Sequence, residues 1–560
     1  MEEDSKIAPI NSSHIVQKFG RSCLIYKRII NELNSFWDQV KNESQNKQRY
    51  RTWKIKIAQP IYGENEDLEN LFLNHTYLLI LIFSILKLNI SILNTKREIN
   101  FKILDTILKD FSFDANSNLS FMQWIFSSEQ SLNLIFSLLD EELQKFDFST
   151  IKEDIFPEIY EDIVIKSSRH KSGEYYTPGW LVETIIDEVW QWWESSTERR
   201  GTIPRILDPS CGSGSFIFHF IKFIRKKVIK VSVSDIVKNI QGFDINPLAT
   251  YIARVNYLFA ITCSFPISSF EFDTLNDFKH VIVCKDALKK YQLDFLLSNQ
   301  DIKPQKFDIL IGNPPWIVMR SIKNKEYQNY LKKESFNFKL ISKNQIHLFT
   351  QMELASLFFC KTAHLYLKPK GMIANVMPKS VISGTKHHER FRKFSSPKLK
   401  LILIYDLQDV KPLFGMPSCV LFAVKGEENQ YPTPIKIFKG KISHPHINLD
   451  EIKPNITITK ENYSPPSIQT EKSWYYTKFQ VGVSIFPRSL YFFDIKGKNG
   501  ESVYVKTTSD IKKLTKPRWN KIFWEGEIEQ NFLYVTLLSW EMAPFGYKRL
   551  RYVVLPIIED

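Results

Sequence analysis

Four consecutive residues, Asn313-Pro314-Pro315-Trp316, combine two hydrogen-bond acceptors with one aromatic face. The Asn313 side chain and the Pro314 carbonyl can each accept a hydrogen bond, and the two prolines fix the backbone that carries them. Trp316 offers a flat surface for stacking. The set suits a planar ring bearing an amino group, because such a ring needs two acceptors and a stacking partner. A rigid loop after a buried strand is the simpler alternative.

A glycine-rich turn lies upstream, in ILDPSCGSGSF, where an acid precedes the turn and a helix follows it. Its candidate binding residues are Asp208, Pro209, Gly212, Gly214 and Phe216. Small residues let the backbone approach a ligand closely, and the N-terminus of a helix favours an anionic group. No Gly-Lys-Ser/Thr follows, so this is not the loop that cradles phosphates with a lysine. A tight turn at a sheet edge is the alternative.

The next predicted strand ends in an acid, Asp244, within GFDINPLATYIARVN. A carboxylate at the end of such a strand can accept hydrogen bonds from both hydroxyls of a ribose. Asn246 or Asp244 could also cap a helix that begins at Pro247, and the two roles are compatible.

An earlier segment, GEYYTPGWLVETI, contains Tyr176, Thr177 and Pro178. Thr177 is predicted to cap a helix, with Pro178 as its first residue. In isolation these residues predict only the start of a helix.

Seven short apolar runs between residues 200 and 425 are predicted to position these motifs. Most are continuous rather than alternating, which is typical of strands buried on both faces of a sheet. The runs are 205–208, 240–245, 281–284, 307–312, 371–377, 401–406 and 418–424. With interleaved helical stretches they predict an α/β fold with a seven-stranded, doubly wound, Rossmann-like sheet.

The length of 560 residues predicts three or four domains, at ~150 residues for each. Residues 1–150 show apolar residues at helical spacing and predict a helical domain. Residues 151–430 carry the motifs and the strands. Residues 431–560 mix Pro, Asn, Ser and Thr with β-branched and aromatic residues, and they predict a separate mixed α+β domain.

The composition sets further limits. A hydrophobic content of 43% supports well-filled cores and excludes a disordered chain. The net charge of +14 favours a polyanionic partner, although the codon bias of an AT-rich genome would also enrich lysine. The six cysteines are scattered, which predicts neither disulfides nor a structural zinc site and fits the cytoplasm. The polar start predicts no signal peptide. The apolar stretch 77–86 is too short to span a membrane and predicts a buried helix.

The order of the motifs, YYTP, DPSCGSGSF, FDINP and NPPW, resembles that of the amino-methylating DNA methyltransferases. More narrowly, it is similar to the adenine-N6 enzymes of type I modification subunits and of fused type II restriction–modification proteins. The resemblance covers residues 150–425 closely. It extends more loosely to a helical segment near residues 53–78.

The resemblance implies S-adenosylmethionine as cofactor and a role for each matching residue. Tyr176, Thr177 and Pro178 match the motif that closes over the methionine end of the cofactor. Asp208, Pro209, Gly212, Gly214 and Phe216 match the cofactor loop, and Asp244 matches the acid that holds the ribose. Asp286 matches the acid that reads the adenine amino group of the cofactor, with Leu288 packing against that ring. Asn313, Pro314, Pro315 and Trp316 match the catalytic motif.

The implied reaction is methyl transfer to N6 of a flipped-out adenine in double-stranded DNA. Asn313 favours adenine as the target, while cytosine N4, RNA or a protein glutamine amide are alternative substrates. A DNA-binding subunit without activity is a further alternative. Cytosine C5 is excluded, because the chain has no Pro-Cys dipeptide. The implied domain at 431–560 reads the target, and a separate specificity or restriction subunit is a further candidate partner.

Two basic segments, 379–394 and 514–524, are predicted to contact phosphate, with a solvated surface as the alternative. The Asp/Glu-Ile-Lys triplets that could belong to a nuclease begin at residues 301, 451, 494 and 510. None lies in the N-terminal domain, so neither a nuclease nor a metal site is predicted.

Overall fold

A computed structural model gives the fold. It describes residues 10–62, 67–96, 119–148, 151, 153–165, 176–228, 230–266, 280–289, 306–443, 449–466, 485–510, 514–515, 519, 521–543 and 545–556. The chain forms two compact units, Met1–Ser467 and Ile468–Asp560.

The front of the first unit is helical, as the spacing of its apolar residues predicts. Its helices are α1 Ser12–Phe19, α2 Leu24–Val40, α3 Ser44–Trp53, α4 Gln59–Tyr62, α5 Leu68–Lys96, α6 Glu129–Leu143 and α7 Pro157–Tyr160. Side chains of these helices, such as Trp53 and Tyr160, and Trp124 of the 3₁₀ segment Ser120–Ser127 belong to the same hydrophobic core as the side chains of the sheet. The helical region therefore packs as part of the first unit.

Helix α5 is long and apolar enough to cross a membrane by composition alone, over Leu68–Ser91. In the fold, however, 83% of its most apolar stretch is buried. The predicted buried helix over residues 77–86 lies within this stretch, and it packs as a core helix.

The sheet of the first unit has nine strands in the order β3-β2-β1-β4-β5-β7-β6-β8-β9. Their bounds are β1 Ile206–Asp208, β2 Ile240–Asp244, β3 Ile282–Cys284, β4 Phe307–Gly312, β5 Leu367–Pro378, β6 Leu399–Lys411, β7 Ser418–Lys425, β8 Thr433–Lys441 and β9 Ile456–Tyr463. Strands β1 to β5 pair in parallel, whereas β7 runs antiparallel between β5 and β6.

All seven predicted strands are present, and the α/β doubly wound class is confirmed. The sheet is larger than predicted, because β8 pairs in parallel with β6 and β9 pairs with β8. Both added strands lie beyond residue 430. The domain boundaries at residues 150 and 430 stay predictions. The two compact units meet at a different point of the chain, after Ser467.

Helices alternate with the strands of this sheet. They are α8 Gly179–Glu194, α9 Ser215–Lys227, α10 Val233–Asn239, α11 Pro247–Ser264, α12 Lys325–Asn337, α13 Leu354–Tyr366 and α14 Leu449–Ile452. Helix α11 begins where the sequence predicts: the Asn246 side chain accepts a hydrogen bond from Leu248 N–H, and Pro247 occupies the first helical position.

The second unit is built on a five-stranded antiparallel sheet in the order β12-β11-β10-β16-β13, with a separate β14–β15 pair. The bounds are β10 Phe492–Asn499, β11 Ser502–Thr507, β12 Glu525–Glu529, β13 Leu533–Thr536, β14 Met542–Ala543, β15 Gly546–Tyr547 and β16 Arg551–Val554. Short 3₁₀ turns lie at Arg488–Leu490, Gln530–Phe532 and Ser539–Glu541.

Candidate functional site

The predicted site residues gather at one edge of the sheet because their strands are parallel neighbours. Asp208 ends β1, Asp244 ends β2 and Asn313 follows β4, and the order β2-β1-β4 places their carboxyl ends side by side. The strand order reverses between β1 and β4, where open α/β sheets bind ligands. The sequence motifs therefore converge on one crevice.

The glycine-rich turn needs its two glycines for different reasons. Gly212 has φ +53° and Gly214 has φ +87°, a region that disfavours side chains. At Gly214 a Cβ atom would also lie 3.1 Å from the backbone of Ala253 in α11. Gly214 is the N-cap of α9, so this close approach fixes where the helix begins beside β1.

Asp244, the acid that ends β2, binds the backbone of the glycine-rich turn. Asp244 Oδ2 accepts a hydrogen bond from Gly212 N–H at 2.9 Å, and its Oδ1 accepts one from Asn246 N–H at 2.8 Å. Burial raises the pKa of Asp244, and these backbone donors oppose the shift. The carboxylate is thereby oriented at the crevice, as a ribose-binding acid would be.

The acid that ends β1 lies deeper. Asp208 is 1% exposed, and burial raises its pKa well above the ordinary value, with the charge of Asp244 adding to the shift. Its Oδ1 accepts a hydrogen bond from Ser210 N–H at 3.0 Å. A Cβ atom at Gly312 would lie 2.4 Å from that oxygen, so only glycine lets the end of β4 approach Asp208.

The turn after β3 is held by side chains from two helices. Asp286 Oδ1 accepts a hydrogen bond from Leu288 N–H at 2.9 Å. Tyr330 of α12 donates to the Leu288 carbonyl at 2.6 Å, and Tyr366 of α13 donates to the Ala287 carbonyl at 3.0 Å. These contacts present Asp286 at the same sheet edge as Asp244.

The catalytic-motif amide is oriented by a residue that the sequence assigns elsewhere. Asn313 Nδ2 donates to Thr177 Oγ1 at 3.2 Å, and Ser210 Oγ donates to the Asn313 backbone carbonyl at 3.2 Å. Thr177 is not the helix cap, which is a correction: Pro178 is the N-cap of α8, and the helix begins at Gly179. The hydroxyl is therefore available to the amide.

The aromatic residue of the motif is packed rather than open. Trp316 is 3% exposed, its indole N–H donates to the Val376 carbonyl at 3.3 Å, and its ring meets the edge of Phe414 at 5.2 Å. Phe414, in the segment between β6 and β7, is the more exposed ring of this pair. The stacking role of Trp316 stays a prediction.

The remaining predicted residues are mostly internal. Phe216 is 4% exposed and Leu288 is 1% exposed, so both contribute to the core. Pro209 and Pro314 are buried, and Pro315 is half-buried. Tyr176 is half-buried and packs edge-on against Tyr160 at 5.7 Å. Their cofactor and substrate roles stay predictions.

A buried carboxyl that no sequence motif marks anchors the glycine-rich turn. Asp154 Oδ2 accepts a hydrogen bond from Ser213 Oγ at 2.5 Å, and its Oδ1 accepts from Asn256 Nδ2 at 2.7 Å and from Phe156 N–H at 3.1 Å. Burial raises the pKa of Asp154 to about 6. Ser213 lies between the two glycines singled out from the sequence, and that position was the available signal.

A second unpredicted group lies behind the catalytic motif. Glu353, just before α13, meets the imidazoles of His387 and His388 and the hydroxyl of Ser380. The Glu353 Oε2 to His388 Nε2 distance of 2.5 Å is that of a hydrogen bond. That distance is too short for two ligands of one tetrahedral metal ion, which would be roughly 3.3 Å apart given metal–ligand bonds of about 2 Å. No sequence signal marked Glu353.

The basic segment 379–394 is only in part a free surface. Lys379 pairs with Asp406 at 2.6 Å, and Arg392 is 4% exposed and donates to the Thr385 carbonyl. Lys386 and Lys393 are exposed. The other predicted phosphate-contact segment, 514–524, lies partly outside the described residues.

The edge fits the cofactor that the resemblance implies. Asp286 Oδ2 is buried without a hydrogen bond of normal geometry among the described residues, and the Tyr327 hydroxyl of α12 is a neighbouring group with which the carboxylate interacts. Such an oxygen needs a donor, and an amino group of a ligand would supply one. Asp244, at the end of the adjacent strand β2, and Gly212, in the turn after β1, form a cradle of carboxylate and backbone beside Asp286. An adenosyl group has the amino group and the ribose hydroxyls that this set would bind.

Curated relatives share part of the chain. The modification methylase CviBIII of Paramecium bursaria Chlorella virus NC1A is 25% identical over 234 residues, which are 42% of this chain and 45% of that protein. The type II methyltransferase M.VspI of Vibrio sp. (strain 343) is 26% identical over 159 residues, 28% of this chain and 29% of that protein. The chain spans less than half the length of either relative.

Solved structures show more distant likeness. A DrdV–DNA complex has a TM-score of 0.48 at 15% identity, covering 80% of this chain and 46% of that chain. A nuclease-deletion mutant of the Type ISP restriction-modification enzyme LlaGI with a DNA substrate mimic has a TM-score of 0.47 at 17% identity, covering 86% and 42%. These likenesses assign no role to any residue here.

One family matches over half of the chain. The pattern of the family described as N-6 DNA Methylase matches residues 151–432. That range holds the strands β1 to β7 and all of the residues that converge on the crevice. The chain belongs to the N-6 DNA methylase family.

Proposed function

We propose that the chain is a site-specific DNA methyltransferase that uses S-adenosylmethionine to methylate adenine N6 in a restriction–modification or related defence system. The observation that carries the proposal is the place of Asn313-Pro314 at the end of β4, beside the turn that follows Asp208. The family match and the methylase names of the curated relatives support it. Double-stranded DNA is the proposed substrate, and a separate specificity or restriction subunit is a further proposed partner.

The amino group of the substrate would be gripped by two acceptors. Thr177 binds the amide nitrogen of Asn313, so the amide oxygen is the atom that can accept from a substrate N–H. The Pro314 carbonyl would accept the second hydrogen. Resonance spreads the N6 lone pair into the adenine ring, and two accepted hydrogen bonds draw that nitrogen toward tetrahedral geometry and restore its nucleophilicity. The proton would leave to water, without a general base.

The residues on the cofactor side would bind and orient S-adenosylmethionine. Bound S-adenosylmethionine provides a methyl group on a sulfonium, ready for in-line attack. Asp244 would accept hydrogen bonds from the ribose hydroxyls, and Asp286 would accept one from the adenosyl amino group. Gly212 and Gly214 would let the backbone approach the cofactor. Most of the rate gain would come from orientation and a preorganised polar site.

The target base would have to leave the duplex, because its amino group cannot reach the crevice while paired. We propose the Trp316–Phe414 pair as the aromatic wall for the flipped base. Trp316 is held by Val376 and packs on Phe414, so the two rings are placed together at the end of β4.

The test is expression in a methylation-free host, followed by sequencing that distinguishes N6-methyladenine from N4-methylcytosine. We expect N6-methyladenine in one fixed motif, lost in Asn313→Ala and retained in the matched control Asn337→Ala, an exposed asparagine on α12. N4-methylcytosine in a fixed motif would overturn the adenine assignment. An unmodified genome, with cofactor binding by the purified chain, would contradict activity of this chain alone.

A further inference from the structure

The segment that follows the catalytic motif is clamped to the residues before α13. Met319 N–H donates to the Met352 carbonyl and Leu354 N–H donates to the Ile317 carbonyl, both at 2.8 Å. These hydrogen bonds flank Glu353 on both sides. The backbone of Glu353 therefore forms an isolated antiparallel bridge with Val318, which lies two residues beyond Trp316.

The Glu353 side chain extends this clamp to the loop after β5. Its Oε1 accepts a hydrogen bond from Ser380 Oγ at 2.8 Å, and its Oε2 lies 2.5 Å from His388 Nε2 and 3.5 Å from His387 Nε2. Glu353 is 9% exposed and His388 is fully buried. One carboxylate thus joins the loops that follow β4 and β5, the two neighbouring strands on the catalytic side.

The protonation states of His388 and Glu353 favour a stable hydrogen bond between them. Burial lowers the pKa of His388 despite the nearby carboxylate, so the imidazole is neutral at neutral pH. Burial acts to raise the pKa of Glu353, but hydrogen bonds from His387 and His388 outweigh it and hold that pKa below its ordinary value. His388 Nδ1 is buried without a partner among the described residues, so a proton on Nε2 avoids an unsatisfied N–H.

We propose that Glu353 and His388 are positioning residues for methyl transfer. A neutral imidazole donating to a buried carboxylate holds the chain after Trp316, and through it the Asn313 amide and the Trp316 ring. This inference rests on the proposed function for its kinetic consequence. A displacement of ~1 Å at a reacting group can cost on the order of 10²-fold in rate, which makes such a brace consequential.

The kinetic test compares His388→Ala with His388→Gln, which keeps an N–H donor. We expect His388→Ala to lower kcat by roughly 10- to 100-fold with the KM for S-adenosylmethionine within about threefold, and His388→Gln to recover most of kcat. Lys398→Ala, in an exposed ion pair with Glu428, is the control and should match the parent protein. Equal losses in both His388 variants, or a rise in that KM with kcat unchanged, would overturn the proposal.

A second measurement needs no methylation and keeps the two proposals separable. In His388→Ala and Glu353→Gln, hydrogen–deuterium exchange at the Met319 and Leu354 amides should accelerate, while the Gly212 amide keeps its protection. Unchanged exchange at Met319 and Leu354 would show that no brace exists, whether or not the parent protein methylates. If His388→Ala does not fold, Ser380→Ala tests the same carboxylate, with a smaller acceleration expected.

Discussion

Two central groups of the crevice, the Asp244 carboxylate on the cofactor side and the Asn313 amide on the catalytic side, are oriented by different kinds of contact. On the cofactor side, Asp244 is oriented by backbone N–H groups of Gly212 and Asn246, within its own motif or the neighbouring one. On the catalytic side, Asn313 depends on the Thr177 side chain, 136 residues away. The segment after Trp316 depends on Glu353, which in turn is held by Ser380 and His388.

This difference predicts which substitutions should affect cofactor binding and which should affect kcat. Contacts made by backbone within a motif survive most substitutions elsewhere, so the orientation of Asp244 should respond chiefly to changes in its own motif and in the glycine-rich turn. Contacts made by distant side chains can be broken from outside the motif. We therefore expect catalytic-side variants to lower kcat and cofactor-side variants to weaken cofactor binding, with little exchange between the two.

The largest effect is expected from Asn313→Ala. Removing the amide oxygen removes one of two acceptors for the reacting amino group, so kcat should fall by about 10³-fold or more, as for the loss of an oriented polar group in other active sites. The Kd for S-adenosylmethionine, measured by calorimetry, should stay within about twofold. A large rise in that Kd would break the separation of the two sides.

The next largest effect concerns Asp154, which together with the Asn256 side chain anchors Ser213 of the cofactor loop. Its pKa in the folded chain is about 6, above the ordinary 3.8, so the folded state keeps a proton that the unfolded state has lost. Ionisation therefore costs stability as pH rises from about 4 to 6, by on the order of 3 kcal/mol in total. Asp154→Asn should remove this cost.

The measurement is the denaturant midpoint of the parent protein and of Asp154→Asn across pH 4 to 7. The advantage of the variant should grow as pH rises through this window and then level off above pH 6. Asn keeps an acceptor for Asn256 and for Phe156 N–H, so the fold should be retained. A difference independent of pH would mean that the Asp154 carboxyl does not titrate in this range.

A smaller effect is expected from Asp244→Ala, which sharpens the comparison from the cofactor side. Losing a charge-assisted acceptor should cost about 1.5–3 kcal/mol, or roughly 10- to 100-fold in cofactor Kd. At saturating cofactor, kcat should remain within about threefold of the parent value. Initial rates at several cofactor concentrations separate the two, and an unchanged Kd would remove Asp244 from the binding set.

The smallest effect distinguishes backbone strain from packing at glycines. Gly214→Ala and Gly201→Ala both place a side chain at positive φ, which costs about 1 kcal/mol. Only Gly214 would also press a Cβ atom against Ala253, whereas a Cβ at Gly201 meets nothing within 4 Å. Gly214→Ala should lower the thermal midpoint more and weaken cofactor binding. Equal shifts would mean that α11 moves freely to accommodate the methyl group.

The sequence predicted the sheet well because continuous apolar runs carry their own signal. Each of the seven predicted strands is present, since residues buried on both faces of a sheet must all be apolar. The two further strands escaped notice for the same reason. β9 is largely exposed, so it lacks the continuous apolar run that marks the predicted strands. The helix start at Thr177 was misplaced by one residue, because the hydroxyl binds Asn313 instead of capping the helix.

The fold class, the family and the order of the motifs along the crevice follow from the amino-acid sequence alone. Each of these depends on residues close together in the chain, where spacing and side-chain type suffice. The side chains that hold the motifs in place are visible only in the folded chain. Asp154, Glu353 and His388 belong to no motif, and their role arises from partners 27 to 102 residues away. Burial gives those contacts their effect, because a polar group removed from water must find its partner within the fold.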